Sequence, residues 1–167
     1  MKTYIITDPC YIIPDNDWDK CCEIFDSAAY KKAVQDRNYE IQRKLFDDEV
    51  SATLRKFSGD YNAGACSTGF GDWTNDIWGI NVLKSDFGAD SGMVCVCELT
   101  DYIKNQLENG KCINPYLLCA MFETDKDITI EFDTSDSNWT VVKIYDKATG
   151  DLLIQSSEPD DESDDEY

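Results

Sequence analysis

Hydrophobic and polar positions alternate with the period of a strand at both ends of the chain and follow a helical period between them. Lys2–Thr7 (KTYIIT) is a β-branched and aromatic run that reads as a first strand. Asp8-Pro9 then forces an extended or turn geometry, after which Tyr11–Ile13 continues. Pro14 and the acids of Asp15–Asp17 precede a helix, with Asp15 or Asn16 as the expected N-cap. Trp18, Cys21, Cys22 and Phe25 fall at helical spacing and are expected on its inner face. Residues 28–57 lack Gly and Pro and are rich in helix formers. They predict one or two amphipathic helices, with Tyr39, Ile41, Leu45, Val50, Leu54 and Phe57 turned inward.

Ser58-Gly59-Asp60 stops this region. The next 22 residues, YNAGACSTGFGDWTNDIWGINV, hold four glycines and two tryptophans and predict short strands separated by tight turns. Gly88, Ser91 and Gly92 mark another turn. Met93–Leu99 is a continuous apolar run, the pattern of a central strand covered on both faces. Leu99–Leu107 reads as a short helix ended by Asn109-Gly110. Asp127–Asp133 alternates strictly, with Ile128, Ile130 and Phe132 on one face. A turn at Thr134–Asn138, a strand at Trp139–Tyr145, a turn at Lys147–Gly150 and a strand at Leu152–Gln155 complete a three-stranded meander. The expected class is therefore α+β: a mixed or antiparallel sheet with an N-terminal helical insertion and the C-terminal meander. Residues 1–157 form the expected single domain, and 158–167 (EPDDESDDEY) an acidic tail too poor in apolar residues to order itself.

Charge then narrows the function. The 15 basic and 34 acidic residues give −19, and with seven carboxylates in the last ten residues, positions 1–157 still carry −12. Such a chain offers no basic surface for nucleic acid. The absence of histidine removes Ser-His-Asp and Cys-His catalysis together with histidine metal ligands. No run approaches the roughly 18–20 apolar residues of a membrane span. The first residues read as a strand and have no small-residue cleavage site, so a cytoplasmic setting is expected.

Eight cysteines in such a setting are free thiols or metal ligands before they are disulfides. Zinc would need a Cys₄ set, and no C-x₂-C knuckle is present. If the first strand lies beside 93–99, then Cys10, Cys22, Cys66, Cys95 and Cys97 are the candidate ligands; the alternative is a set of small buried hydrophobes. Asp72, Asp76, Asp86 and Asp90 are candidates for a metal-dependent hydrolase, with turn and cap roles as the simpler explanation. Asp125, Asp127, Glu131, Asp133 and Asp136 form the acidic group expected to meet a basic partner.

The stretch ITDPCYII (5–12), Trp18, Cys22, TGFGD (68–72) and GADSGMV (88–94) together resemble a DPCY-type family of small proteins from phages, prophages and their bacterial hosts. The resemblance spans residues 3–22 and 66–99, makes 28–57 an insertion and implies no particular chemistry. In size, acidity and lack of a catalytic set the chain is also similar to phage anti-defence proteins, notably anti-CRISPR inhibitors of type II effector nucleases. That likeness implies a non-enzymatic inhibitor in the host cytoplasm. Its acidic face would occupy the cationic channel of a nucleic-acid-handling host protein and block loading of target DNA. A bacterial immunity protein would share the same physics.

Overall fold

The computed structural model describes residues 1–58, 63–68, 73–89, 91–109, 119–135 and 140–157. The acidic tail, Asp72, Asp90, Cys112, Asp136 and the turn at Thr134–Asn138 beyond Ser135 lie outside the described residues. Among the described residues there are ten strands: β1 (Lys2–Thr7), β2 (Gly64–Ser67), β3 (Trp73–Gly79), β4 (Val82–Lys84), β5 (Asp86–Ala89), β6 (Met93–Glu98), β7 (Ala120–Thr124), β8 (Ile128–Asp133), β9 (Val141–Asp146) and β10 (Leu152–Ser156). Four α-helices accompany them: α1 (Asp15–Cys22), α2 (Ala28–Gln35), α3 (Tyr39–Ser58) and α4 (Asp101–Asn109). The class is α+β, with the helical region near the N-terminus and the β8–β9–β10 meander at the C-terminal end, as the hydrophobic pattern predicts.

The strands form two five-stranded sheets and not one. Sheet I has the order β2-β6-β1-β7-β4 and sheet II the order β5-β3-β10-β9-β8. Neighbours are antiparallel throughout. Sheet I lies in the middle of three layers. Ile5, Met93, Cys95 and Cys97 face the helices, where Val50, Leu54, Ile103 and Leu107 close over them. Tyr4, Ile6, Val94, Val96 and Phe122 face sheet II and meet Phe87, Ile144 and Ile154. Tyr4 and Phe122 stack with ring centres 5.3 Å apart. Each fully buried aliphatic or aromatic side chain here contributes about 1.5–3 kcal/mol. This double coverage is why β6 lacks any polar alternation.

Two expectations about the helices change. α1 begins at Asp15 with Pro14 as its cap residue, so Asp15 and Asp17 fall in the first turn, where the helix dipole favours them. On α3, Val50 and Leu54 are buried and Phe46 and Phe57 pack beside them, but Tyr39 and Ile41 are exposed. Ile41 precedes Val50 by nine residues, half a turn out of phase at 100° per residue. Tyr39 has the right phase but occupies the first turn of the helix. Phe25 is also 41% exposed, its ring stacked on Phe46 at 5.0 Å instead of entering the core.

The β3–β4 hairpin stitches the sheets together. β3 belongs to sheet II, whereas β4 crosses to the edge of sheet I beside β7. Lys84 secures the crossing by donating to the carbonyls of Cys119 (2.9 Å) and Asp86 (3.1 Å). The crossing starts at Gly79, whose φ is +146° and which sits against β10: a Cβ there would lie 2.0 Å from the Leu153 carbonyl oxygen and 2.9 Å from Ile154 Cα. The two nearest obstructing atoms are backbone of β10, which cannot swing aside as the end of a side chain would. Among the described residues, no helix is long and apolar enough to cross a membrane.

Gly79→Ala is therefore expected to destabilise the protein by about 3 kcal/mol or more. Gly150→Ala, at φ +78° with open space around it, is expected to cost about 1–2 kcal/mol. Urea denaturation of both variants checks the difference, and equal costs would contradict the close approach of β3 and β10.

Candidate interaction face

Sheet II presents one face to sheet I, and among the described residues no helix packs on its other face, because the helices lie on the far side of sheet I. Strand alternation decides which residues stand on the open face. On β3, Ile77 is buried against sheet I, which turns Thr74, Asp76 and Trp78 outward. Register then carries the face across the sheet: Trp78 lies opposite Gln155 on β10, Gln155 opposite Lys143 on β9, and Lys143 opposite Glu131 on β8. A second row joins Leu152, Tyr145 and Thr129. Asp86 on β5 stands directly opposite Asp76, and Asp133 lies at the β8 end of the face. Trp78 is 53% exposed and Leu152 is 38% exposed, so both apolar groups meet solvent.

The carboxylates occupy the two edges of this face. Asp133 accepts from the Ser135 amide (2.9 Å) and pairs with Lys143 Nζ (2.9 Å). The Ser135 bonds and then the lysine hold the Asp133 carboxyl well below the usual range and Lys143 above its own. Hydrogen bonding to Glu131 raises the Tyr145 phenol above its ordinary value. Asp76 and Asp86 are like charges directly across a strand pair, an arrangement that opposes sheet formation and that Lys84, 3.5 Å from Asp86, partly offsets. In the β7–β8 turn Asp125 and Asp127 are exposed. Asp146 is held differently: it is buried at the next turn, accepts from the Ala148 amide (2.9 Å) and pairs with Lys126 (3.3 Å).

Of the acids expected to meet a partner, Glu131 and Asp133 share the open face, Asp125 and Asp127 sit in the turn leading to β8, and Asp136 lies outside the described residues. Sequence reading missed Trp78, Tyr145 and Leu152. The alternation of WTNDIWG was visible, but only strand pairing shows that it shares a face with the meander. Asp76 and Asp86, read as metal ligands of a hydrolase, open outward to solvent, and their companions Asp72 and Asp90 are outside the described residues.

The thiols take other positions. β1 does lie beside β6, with Ile5 opposite Cys97 and Thr7 opposite Cys95. Cys95 and Cys97 point toward the helices, in the same apolar layer as Cys21 and Cys119. Cys66 lies opposite Val94, so its side chain points toward sheet II. Cys10 and Cys22 are half-buried near α1. Cys66 is therefore on the opposite face of the sheet from Cys95 and Cys97, so it does not share their side of the layer. Among the described residues, no three Cys, Asp or Glu side chains gather about one point. Burial pushes the Cys66 thiol up to about 11, with Asp47 adding to it, and holds Cys95 well above its ordinary value. Protonated, enclosed thiols are poor nucleophiles.

Two buried polar knots explain other acids. Asp8 is fully buried and receives the amides of Cys10 (2.9 Å) and Ser91 (2.5 Å) and the Ser91 hydroxyl (2.7 Å). Thr68 donates from its amide (2.7 Å) and hydroxyl (3.0 Å) to the Gly92 carbonyl. The segment DPCY, Thr68 and the segment SGMV thus meet at one end of sheet I, tied by structural bonds. At the β2 edge, Asp47 accepts from the amide (3.0 Å) and hydroxyl (2.5 Å) of Ser67. Arg43 donates to the Ser67 carbonyl and to Thr140 Oγ1, which joins α3 to both sheets. Burial raises the Asp47 carboxyl, and the Ser67 bonds work against that rise.

Comparison with protein-family models, curated proteins and solved structures finds no match to this chain.

Alkylation of the native protein is expected to modify Cys10 and Cys22 while Cys21, Cys66, Cys95, Cys97 and Cys119 stay protected, as peptide mass mapping would read; rapid labelling of Cys66 or Cys95 contradicts their burial. The raised thiols also set a pH dependence. Their contribution to stability is complete below an unfolded value of 9.0 and is lost as pH rises toward the folded value, about 11 for Cys66. The urea midpoint under reducing conditions is therefore expected to fall across that interval, and to fall less in Cys66→Ala.

Proposed function

We propose that this protein is a non-enzymatic binding protein whose acidic open face engages a basic surface on a nucleic-acid-handling host protein. The observation that carries the reading is the outer face of sheet II. It is uncovered, carries Asp76, Asp86, Glu131 and Asp133, and has Lys143 already paired with one of them. The charge of −19 extends the attraction well beyond contact, so encounter with a cationic channel is accelerated. Enclosed protonated thiols and the lack of histidine support binding over catalysis.

The partner class proposed is an effector nuclease of the type II CRISPR kind, with occupation of its cationic channel preventing target DNA from loading. The likeness in size, acidity and lack of a catalytic set to anti-CRISPR inhibitors of type II effector nucleases supports this choice of partner. Zinc has no part in the reading.

A DNA-loading assay with a purified type II effector tests it. Addition of the protein is expected to abolish loading, with potency falling as salt rises. The double reversal Glu131→Lys, Asp133→Lys is expected to weaken inhibition about tenfold or more, mostly through slower association. Undiminished loading, or equal potency of wild type and reversal variant at all salt concentrations, would refute the proposal.

A further inference from the structure

The open face of sheet II is divided along its strands. Asp76, Asp86 and Asp133 stand toward one end; the middle row carries Trp78 together with Gln155, Lys143 and Glu131, and the row beyond it Leu152 and Tyr145, with Ile80 following Gly79 at the end of β3. Ile80 is 58% exposed and its amide donates to the Leu153 carbonyl at 3.0 Å, which holds it beside β10. A purely electrostatic mimic of a phosphate backbone has no use for such a strip, since apolar side chains add nothing to counterion release. The geometry points to a partner segment that is apolar as well as basic: an amphipathic helix that lays its apolar side on Trp78, Ile80 and Leu152 and its lysines or arginines over the neighbouring carboxylates. This rests on the reading of the outer face as a docking surface and adds the chemistry of what docks.

Three observations favour that occupant. The opposite side of the same sandwich is already completed by helices packed on sheet I, and a helix from a partner would complete sheet II in the same way. The carboxylates rimming the strip select positive charge. A second copy of this chain would bring another −19 to the contact, so self-association is opposed by the charge that favours a cationic partner.

The probes are a labelled leucine–lysine amphipathic helical peptide, an oligolysine of equal charge and a single-stranded oligothymidylate, each titrated against the full chain by fluorescence anisotropy. At physiological ionic strength the amphipathic peptide is expected to bind about tenfold or more tighter than oligolysine, and the oligothymidylate not at all. Trp78→Ala with Leu152→Ser is expected to remove that advantage while oligolysine binding at low salt is unchanged. Tyr39→Ala and Leu83→Ser, exposed apolar residues away from the outer face of sheet II, are expected to retain it. Equal affinity for the two basic peptides, an advantage that survives loss of Trp78 and Leu152, or Trp78-dependent binding of the oligothymidylate overturns the inference while leaving the acidic face as a docking surface. Indifference of both peptides at low salt to Glu131→Lys, Asp133→Lys overturns that underlying reading as well.

Discussion

Sheet I is buried on both sides, and that constraint governs where everything else in the chain can go. Two-sided burial requires apolar side chains at successive positions of β1 and β6, without the polar alternation that an exposed sheet permits. It also favours side chains small enough to fit under packed helices, and this is where Cys95, Cys97 and Cys119 are found. With the middle layer closed to charge, the acid excess of the chain is distributed over the helix exteriors, the turns and the outer face of sheet II. Asp8 is the exception that shows the cost. It enters the buried layer only because the Cys10 and Ser91 donors surround its carboxylate, which offsets the loss of hydration.

The same constraint separates what the sequence reveals from what it conceals. The strand Lys2–Thr7 and the apolar run at 93–98 follow from local pattern, because burial on two faces leaves an unmistakable composition. The meander is equally legible, since Ile128, Ile130 and Phe132 alternate against polar neighbours and turn residues separate the strands. The existence of a second sheet is not legible. It depends on β4 leaving its hairpin partner for β7, and the requirement that enables this is a backbone approach at Gly79, which a sequence shows only as one glycine among nine.

Candidate sites suffer most from that gap. Cys66 and Cys95 look like neighbours once β2 and β6 are known to pair, yet a difference of one residue in register places their side chains on opposite faces. Proximity of strands brought Cys66 into the expected set, and side-chain direction separates it from Cys95 and Cys97. On α3 the error was one of phase: Ile41 satisfies a count of apolar residues and fails the 3.6-residue period set by Val50 and Leu54. Glu131 and Asp133 came through because strict alternation fixes their face relative to Ile128 whatever the neighbouring strand is. Trp78 did not, because its face is shared with the meander only through pairing of β3 with β10.

An acid-rich surface attracts many cations weakly, so charge alone gives rapid encounter and little discrimination. Discrimination requires groups whose contribution depends on shape and dehydration. On this molecule Trp78 shares the middle row of the open face with Lys143 and Glu131, Leu152 lies in the row beyond it, and Asp76, Asp86 and Asp133 lie on the other side. Lys143 between them is tied to Asp133, so the middle of the face repels neither component of a partner that is both basic and apolar. Burying two large apolar side chains contributes about as much as several rim charges at physiological ionic strength, and screening by salt leaves that contribution intact. On the proposed reading, encounter falls to the carboxylates, and persistence of a complex would fall to the ring and the leucine.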